Sequence, residues 1–204
     1  CTYYDYFEKF MKWVVLRQLR VDSLVIPKRA YPWEGSTMIA FLTKVGSHLF
    51  DLNIDNLSSD TTYYFSDISF FCIHLRRLRI RDCKASSGSI RSVLLNCPQL
   101  EVCELGNYDR FPSHCMDGLK LPSLHTLHLQ SCDRYICEVL ATAAPNLRYF
   151  SCWGGWYLSP GNVRKLCHGC PLLAEVGLRK SLNPLDECLD PACVTAVATH
   201  CAKL

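Results

Sequence analysis

Cys167-His168-Gly169-Cys170 is the stretch whose residue types and spacing come nearest to a metal site. A structural zinc ion takes four ligands in a tetrahedron, so such a string needs a second group of donors. Only Cys188, Cys193, His200 and Cys201 lie near enough in the chain to supply it, and none repeats the spacing. Without a matching pair the string does not specify a metal, and none is expected. A nucleophilic cysteine would need a neighbouring base or cation to hold it as thiolate. Fourteen cysteines and seven histidines guarantee chance proximities, and no thiol has an evident activating environment. No catalytic residue and no cofactor are therefore assigned.

Binding chemistry is better represented. Arg77, Arg79 and Arg81 alternate along one extended stretch, which puts three guanidinium groups on one face. Taken alone, the row could clamp phosphate or an acidic peptide. The stretch before it places Asp51, Asn53 and Asp55 in the same slots, and the one after places Glu104 beside Arg79. Cross-strand opposite charges are a common solution for an exposed sheet face, so a structural ladder is the favoured reading. Later stretches present Thr126, His128 and Gln130, then Tyr149, Ser151 and Trp153, then Glu175, Gly177 and Arg179. Tyr, Trp and Arg are enriched where interfaces concentrate binding energy. A partner surface is expected on His128, Tyr149, Trp153 and Arg179, with Arg77, Arg79 and Arg81 secondary. The competing reading makes Trp153 a local lid over a neighbouring turn. Trp153-Gly154-Gly155-Trp156-Tyr157 lacks the Lys-Ser/Thr ending of a phosphate loop and reads as a tight exit from a strand.

What aligns these rows is a repeat. Leu-x-x-Leu-x-Leu-x-x-Cys occurs as Leu75, Leu78, Ile80, Cys83 and as Leu124, Leu127, Leu129, Cys132. Looser copies are Leu16-Leu19-Val21-Leu24, Leu49-Leu52-Ile54-Leu57, Leu100-Cys103-Leu105-Tyr108, Leu147-Phe150-Cys152-Gly155 and Leu173-Val176-Leu178-Ser181. First leucines are 33, 26, 25, 24, 23, 26 and 31 residues apart, the last interval ending at Leu204. A period in the twenties with this signature predicts an α/β leucine-rich-repeat solenoid of about seven turns over 1–204. Its parallel strands, centred near 19–21, 52–54, 78–80, 103–105, 127–129, 150–152 and 176–178, would line the concave side of a horseshoe, with helices on the convex side. Beginning on Cys1 and ending on the first leucine of another copy, the chain reads as a fragment.

The helices follow from apolar 3/4 spacing: Met38, Phe41, Leu42 and Val45; Ile90, Val93, Leu94 and Cys97, with Ser89 as cap; Val139, Leu140 and Ala143; Val163, Leu166 and Cys167; Val194, Val197 and Ala198. Between 100 and 124 only a short, irregular helix is expected. Three residues before each first leucine stand Gly46, Cys72, Cys97, Leu121, Ala144, Cys170 and Cys201. A slot where cysteine alternates with alanine, glycine and leucine calls for a small or apolar buried side chain. The thiols therefore read as reduced packing residues, which favours a cytoplasmic or nuclear location.

Asn96-Cys97-Pro98-Gln99-Leu100, Gly169-Cys170-Pro171-Leu172-Leu173 and His200-Cys201-Ala202-Lys203-Leu204, together with the copy at Leu75–Cys83, resemble the cysteine-containing subclass of leucine-rich repeats. That subclass is typical of F-box proteins, the substrate receptors of cullin-based ubiquitin ligases. The resemblance covers roughly residues 16–204. It implies a non-enzymatic module that holds a protein substrate on the concave face, with a ligase adaptor engaged only if an F-box lies outside this chain. Residues 1–15 are too short to hold one. An intracellular repeat scaffold without an F-box is the alternative. A net charge of +3 implies no general affinity for nucleic acid or membranes, and no apolar run is long enough to span a bilayer.

Overall fold

The computed structural model describes residues 3–26, 35–55, 62–81, 86–106, 111–153 and 159–178, with 195, 197 and 198. They belong to two compact units, Cys1–Leu100 and Glu101–Leu204. The first runs α1 (Tyr3–Arg17), β1 (Ser23–Ile26), α2 (Gly35–Val45), β2 (Asp51–Asp55), α3 (Thr62–Phe71), β3 (Arg77–Arg81) and α4 (Ser87–Asn96). The second runs β4 (Val102–Leu105), a 3-10 turn (Ser113–Met116), β5 (Thr126–Leu129), α5 (Ile136–Ala143), β6 (Tyr149–Cys152), α6 (Pro160–Gly169) and β7 (Glu175–Leu178). Within the first unit β1, β2 and β3 pair in parallel, and within the second β4, β5, β6 and β7 do the same. Parallel neighbours need a crossover, and a helix or short turn supplies it each time.

Register follows the leucines. Leu24, Leu52 and Leu78 align across the first unit, as do Ile26, Ile54 and Ile80, and all six are buried. In the second unit Cys103, Leu127 and Phe150 are buried in line, leading to the half-buried Val176. The first leucine of each copy from Leu49 to Leu173 is at most 3% exposed. It closes a tight corner, its N–H donating to the carbonyl three residues earlier: Leu49 to Gly46, Leu75 to Cys72, Leu100 to Cys97, Leu124 to Leu121, Leu147 to Ala144 and Leu173 to Cys170, at 3.0–3.1 Å.

The first copy departs from expectation. No strand forms at 19–21; α1 runs through Leu16, which is 80% exposed, and Leu19 is 40% exposed. Gln18 adopts φ 53, while Gln18 N–H donates to Val15 O and Leu19 N–H to Val14 O. That is a Schellman ending, with glutamine in the left-handed position usually taken by glycine. The chain then needs several residues to re-extend, and β1 pairs Leu24 with Leu52 rather than with Leu57's slot. The true frame is Val21-Leu24-Ile26, which brings the first interval from 33 to 28 residues (21 to 49).

The apolar helix edges are in place: Met38, Phe41, Leu42, Val45, Ile90, Val93, Leu94, Val163, Leu166 and Cys167 are all buried, and α5 adds Ile136, Cys137 and Leu140. Val139 and Val197 are only half-buried, Ala198 is exposed, and Val194 lies outside the described residues. Ser86, not Ser89, caps α4; its hydroxyl accepts the Ser89 N–H at 3.1 Å. Ser159 does the same for α6, with Pro160 entering the first turn, where a missing N–H does no harm. The irregular segment before β5 is the expected short turn. Asp133 Oδ2 accepts the Ser113 N–H and hydroxyl, both at 2.9 Å, and Phe111 bridges Cys132 in parallel.

Nine described cysteines are buried free thiols; Cys83 lies outside the described residues. The slot before each corner is more than small. Cys97 Sγ donates to Cys72 O and Cys170 Sγ to Ala144 O, each at 3.4 Å, so a thiol meets the carbonyl that already holds the preceding corner. Burial pushes the Cys72 and Cys97 thiols up to about 12, with the neighbouring Cys97 thiol adding to the rise at Cys72. Replacing Cys170 by alanine keeps the Cβ and removes the sulfur with its weak hydrogen bonds to Ala144 O and Leu140 O. The expected cost is about 1 kcal/mol, read as a lower urea midpoint with an unchanged slope.

Candidate partner-binding face

Strand alternation sends every other residue of each unit's sheet to the side opposite the buried leucines. In the first unit this open side carries Ser23 and Val25 on β1, Asp51 and Asn53 on β2, and Arg77, Arg79 and Arg81 on β3. The register pairs Asp51 with Arg77, Asn53 with Arg79 and Asp55 with Arg81, as the charge pattern implied. Among the described residues no ion pair joins Asp51 to Arg77, so at that pair the ladder is one of proximity rather than contact. Val25, 56% exposed, enters this face because of the corrected frame. Asn53 Oδ1 is buried with no hydrogen-bond partner among the described residues.

The second unit's open side is of another kind. Glu104 aligns with His128, His128 with Ser151, and Ser151 with Gly177; in the adjacent row Thr126 aligns with Tyr149, and Tyr149 with Glu175. His128 Nδ1 and Ser151 Oγ share a 2.6 Å hydrogen bond across the strands. This bond fixes both side chains at the centre of the face, and Ser151 was not foreseen in that role. Tyr149 is 42% and Trp153 57% exposed, although Phe150 and Cys152 between them are buried. Trp153 N–H donates to Leu129 O at 3.2 Å, which anchors the backbone where the chain leaves β6. Of the four residues expected to form the partner surface, His128 and Tyr149 thus share one sheet and Trp153 stands at its exit. Arg179 lies outside the described residues, as does the rest of the Trp153-Gly154-Gly155-Trp156-Tyr157 stretch.

The residues of the zinc-like string take separate positions. Cys167 sits on the buried edge of α6, Cys170 donates to the preceding corner, and His168 between them is exposed. Among the described residues no three His, Cys, Asp or Glu side chains are grouped so as to hold a metal. Cys188, Cys193, His200 and Cys201 lie outside them. Among the described residues no helix is long and apolar enough to cross a membrane.

Buried leucines at fixed slots, a closed corner before each of β2 to β7 and parallel pairing in chain order define a leucine-rich-repeat protein. The chain belongs to the family described as FBD-associated F-box protein At5g56370, LRR repeats, whose model matches residues 12–183. No curated protein matches it. Membership carries a protein-interaction role within F-box proteins.

Proposed function

We propose that this chain is the substrate-recognition part of an F-box ubiquitin-ligase receptor, holding a protein partner on the open sheet face of its second unit. The solenoid does no chemistry in this reading. It positions the partner for lysine ubiquitination by other subunits, and it works in the cytoplasm or nucleus. The observation that supports it most is the exposure of Tyr149 on β6, 42%, and of Trp153 just past its end, 57%, where the other side of the strand is buried core. An aromatic ring on a backbone held by both flanking strands offers large apolar area and loses little ordering entropy on binding. His128 completes the surface, pinned by Ser151, and Arg179 follows in the next copy. Arg77, Arg79 and Arg81 form a secondary surface in the first unit. Titration of one captured partner against the Trp153→Ala and Arg79→Ala variants tests the assignment; the tryptophan variant should lose more.

A further inference from the structure

We propose that Tyr149 and Glu175, with the small residues Ser151 and Gly177 beside them and Trp153 beyond, seat an arginine side chain of the protein partner. The inference rests on the reading that this face receives a protein and names the chemistry it selects. Tyr149 and Glu175 are direct neighbours in the parallel register, and both are exposed. Among the described residues no ion pair holds the Glu175 carboxylate, and none joins it to Arg148 one residue before Tyr149. Farther along the same two strands, Ser151 stands beside Gly177. Gly177 has no side chain, and a Cβ built there would crowd Ser151 Cβ at 3.0 Å, so at this pair the floor carries the small serine side chain and no bulk from β7. Ser151 is tied down toward β5 by His128. Trp153 stands in the bend just past β6, four residues after Tyr149 and so at most about 13 Å along the chain, which leaves room for an arginine stem between two exposed rings.

Charge selects the occupant. Besides Tyr149, the described open-face ionisable groups of this unit are Glu104, His128 and Glu175, with no Lys or Arg among them; Arg179, two residues after Gly177, lies outside the described residues. A carboxylate next to an aromatic ring attracts a cation through both charge and ring quadrupole. Guanidinium suits the pair better than ammonium, because its plane stacks on the tyrosine ring while its N–H fork meets the carboxylate.

The probe is a short peptide, Gly-Ser-Gly-Arg-Gly-Ser-Gly, titrated into the isotope-labelled full chain and followed by amide and indole NMR shifts. An otherwise identical peptide carries citrulline, which keeps the shape of arginine and removes its charge. Saturable shifts at residues 149–153 and 175–177 are expected, with citrulline binding about tenfold weaker. Glu175→Gln should bring the arginine peptide down to the citrulline level, and Trp153→Ala should weaken both peptides. Equal binding of the two peptides, no shift with the arginine peptide, or an unchanged affinity in Glu175→Gln would overturn the seat. A captured partner that depends on Trp153 but ignores Glu175→Gln removes the arginine seat and keeps the partner face. A partner indifferent to both changes removes the two together.

Discussion

Replacing Phe150 by alanine is expected to destabilise the second unit by about 3–5 kcal/mol, the range for emptying a buried aromatic site. Phe150 is 1% exposed and lies in register between Leu127 and Val176. A solenoid has no distant core to collapse into the space, because each turn touches only its neighbours. The vacated volume therefore stays largely empty, and the loss sits near the upper part of the range. Tyr149→Ala, one residue earlier on the exposed side, should change stability by no more than about 0.5 kcal/mol. Urea unfolding of the two variants measures the contrast. Similar midpoints would mean that the alternation of β6 has been assigned to the wrong faces.

Gly169→Ala should be nearly as damaging, at about 3 kcal/mol, through overpacking instead of a cavity. A Cβ at Gly169 would stand 2.4 Å from Ala141 Cα and 2.5 Å from its carbonyl oxygen. Those atoms are backbone of α5, so the clash is relieved only by moving α6 away from α5. Ala141→Gly should not rescue the variant, because the Cα and carbonyl remain. The control is Gly161→Ala on the same helix, where the new methyl meets only Ser159 Oγ at 3.8 Å. That change should be neutral or stabilising by up to about 1 kcal/mol, since alanine is the better helix former. Thermal unfolding should show a drop of roughly 6–12 °C for Gly169→Ala and none for Gly161→Ala. Equal melting temperatures would contradict the close approach of the two helices.

Six of the seven strands stood where the leucine spacing put them, because a period-two element with one buried side leaves little freedom in register. The first failed for a local reason. Leu16 and Leu19 have repeat spacing but belong to the end of α1, and the only warning was an interval of 33 residues where the next four are 23–26. Moving the frame to Val21 would have reduced that interval and exposed Val25 as an open-face residue. Cap choice at α4 was equally ambiguous, since Ser86, Ser87 and Ser89 all precede the apolar run. The rows of the open face were legible from alternation alone. What they do to one another was not: the His128–Ser151 bond depends on rotamers, and the Gly169–Ala141 contact on how closely two helices pack. The glycine inside Cys167-His168-Gly169-Cys170 thus serves helix packing in a string whose composition suggests metal.

The open face of the second unit is tested most directly by calorimetric titration of one protein partner against the unaltered chain, Trp153→Ala and Arg79→Ala. Trp153 is 57% exposed, so its removal should leave the urea midpoint unchanged while weakening the partner by roughly 2 kcal/mol. Arg79 pairs in register with Asn53 next to Asp51, and its loss should cost less and fade as salt is added. An equal or larger loss for Arg79→Ala, or no loss for Trp153→Ala, would contradict the account and move recognition to the arginine row.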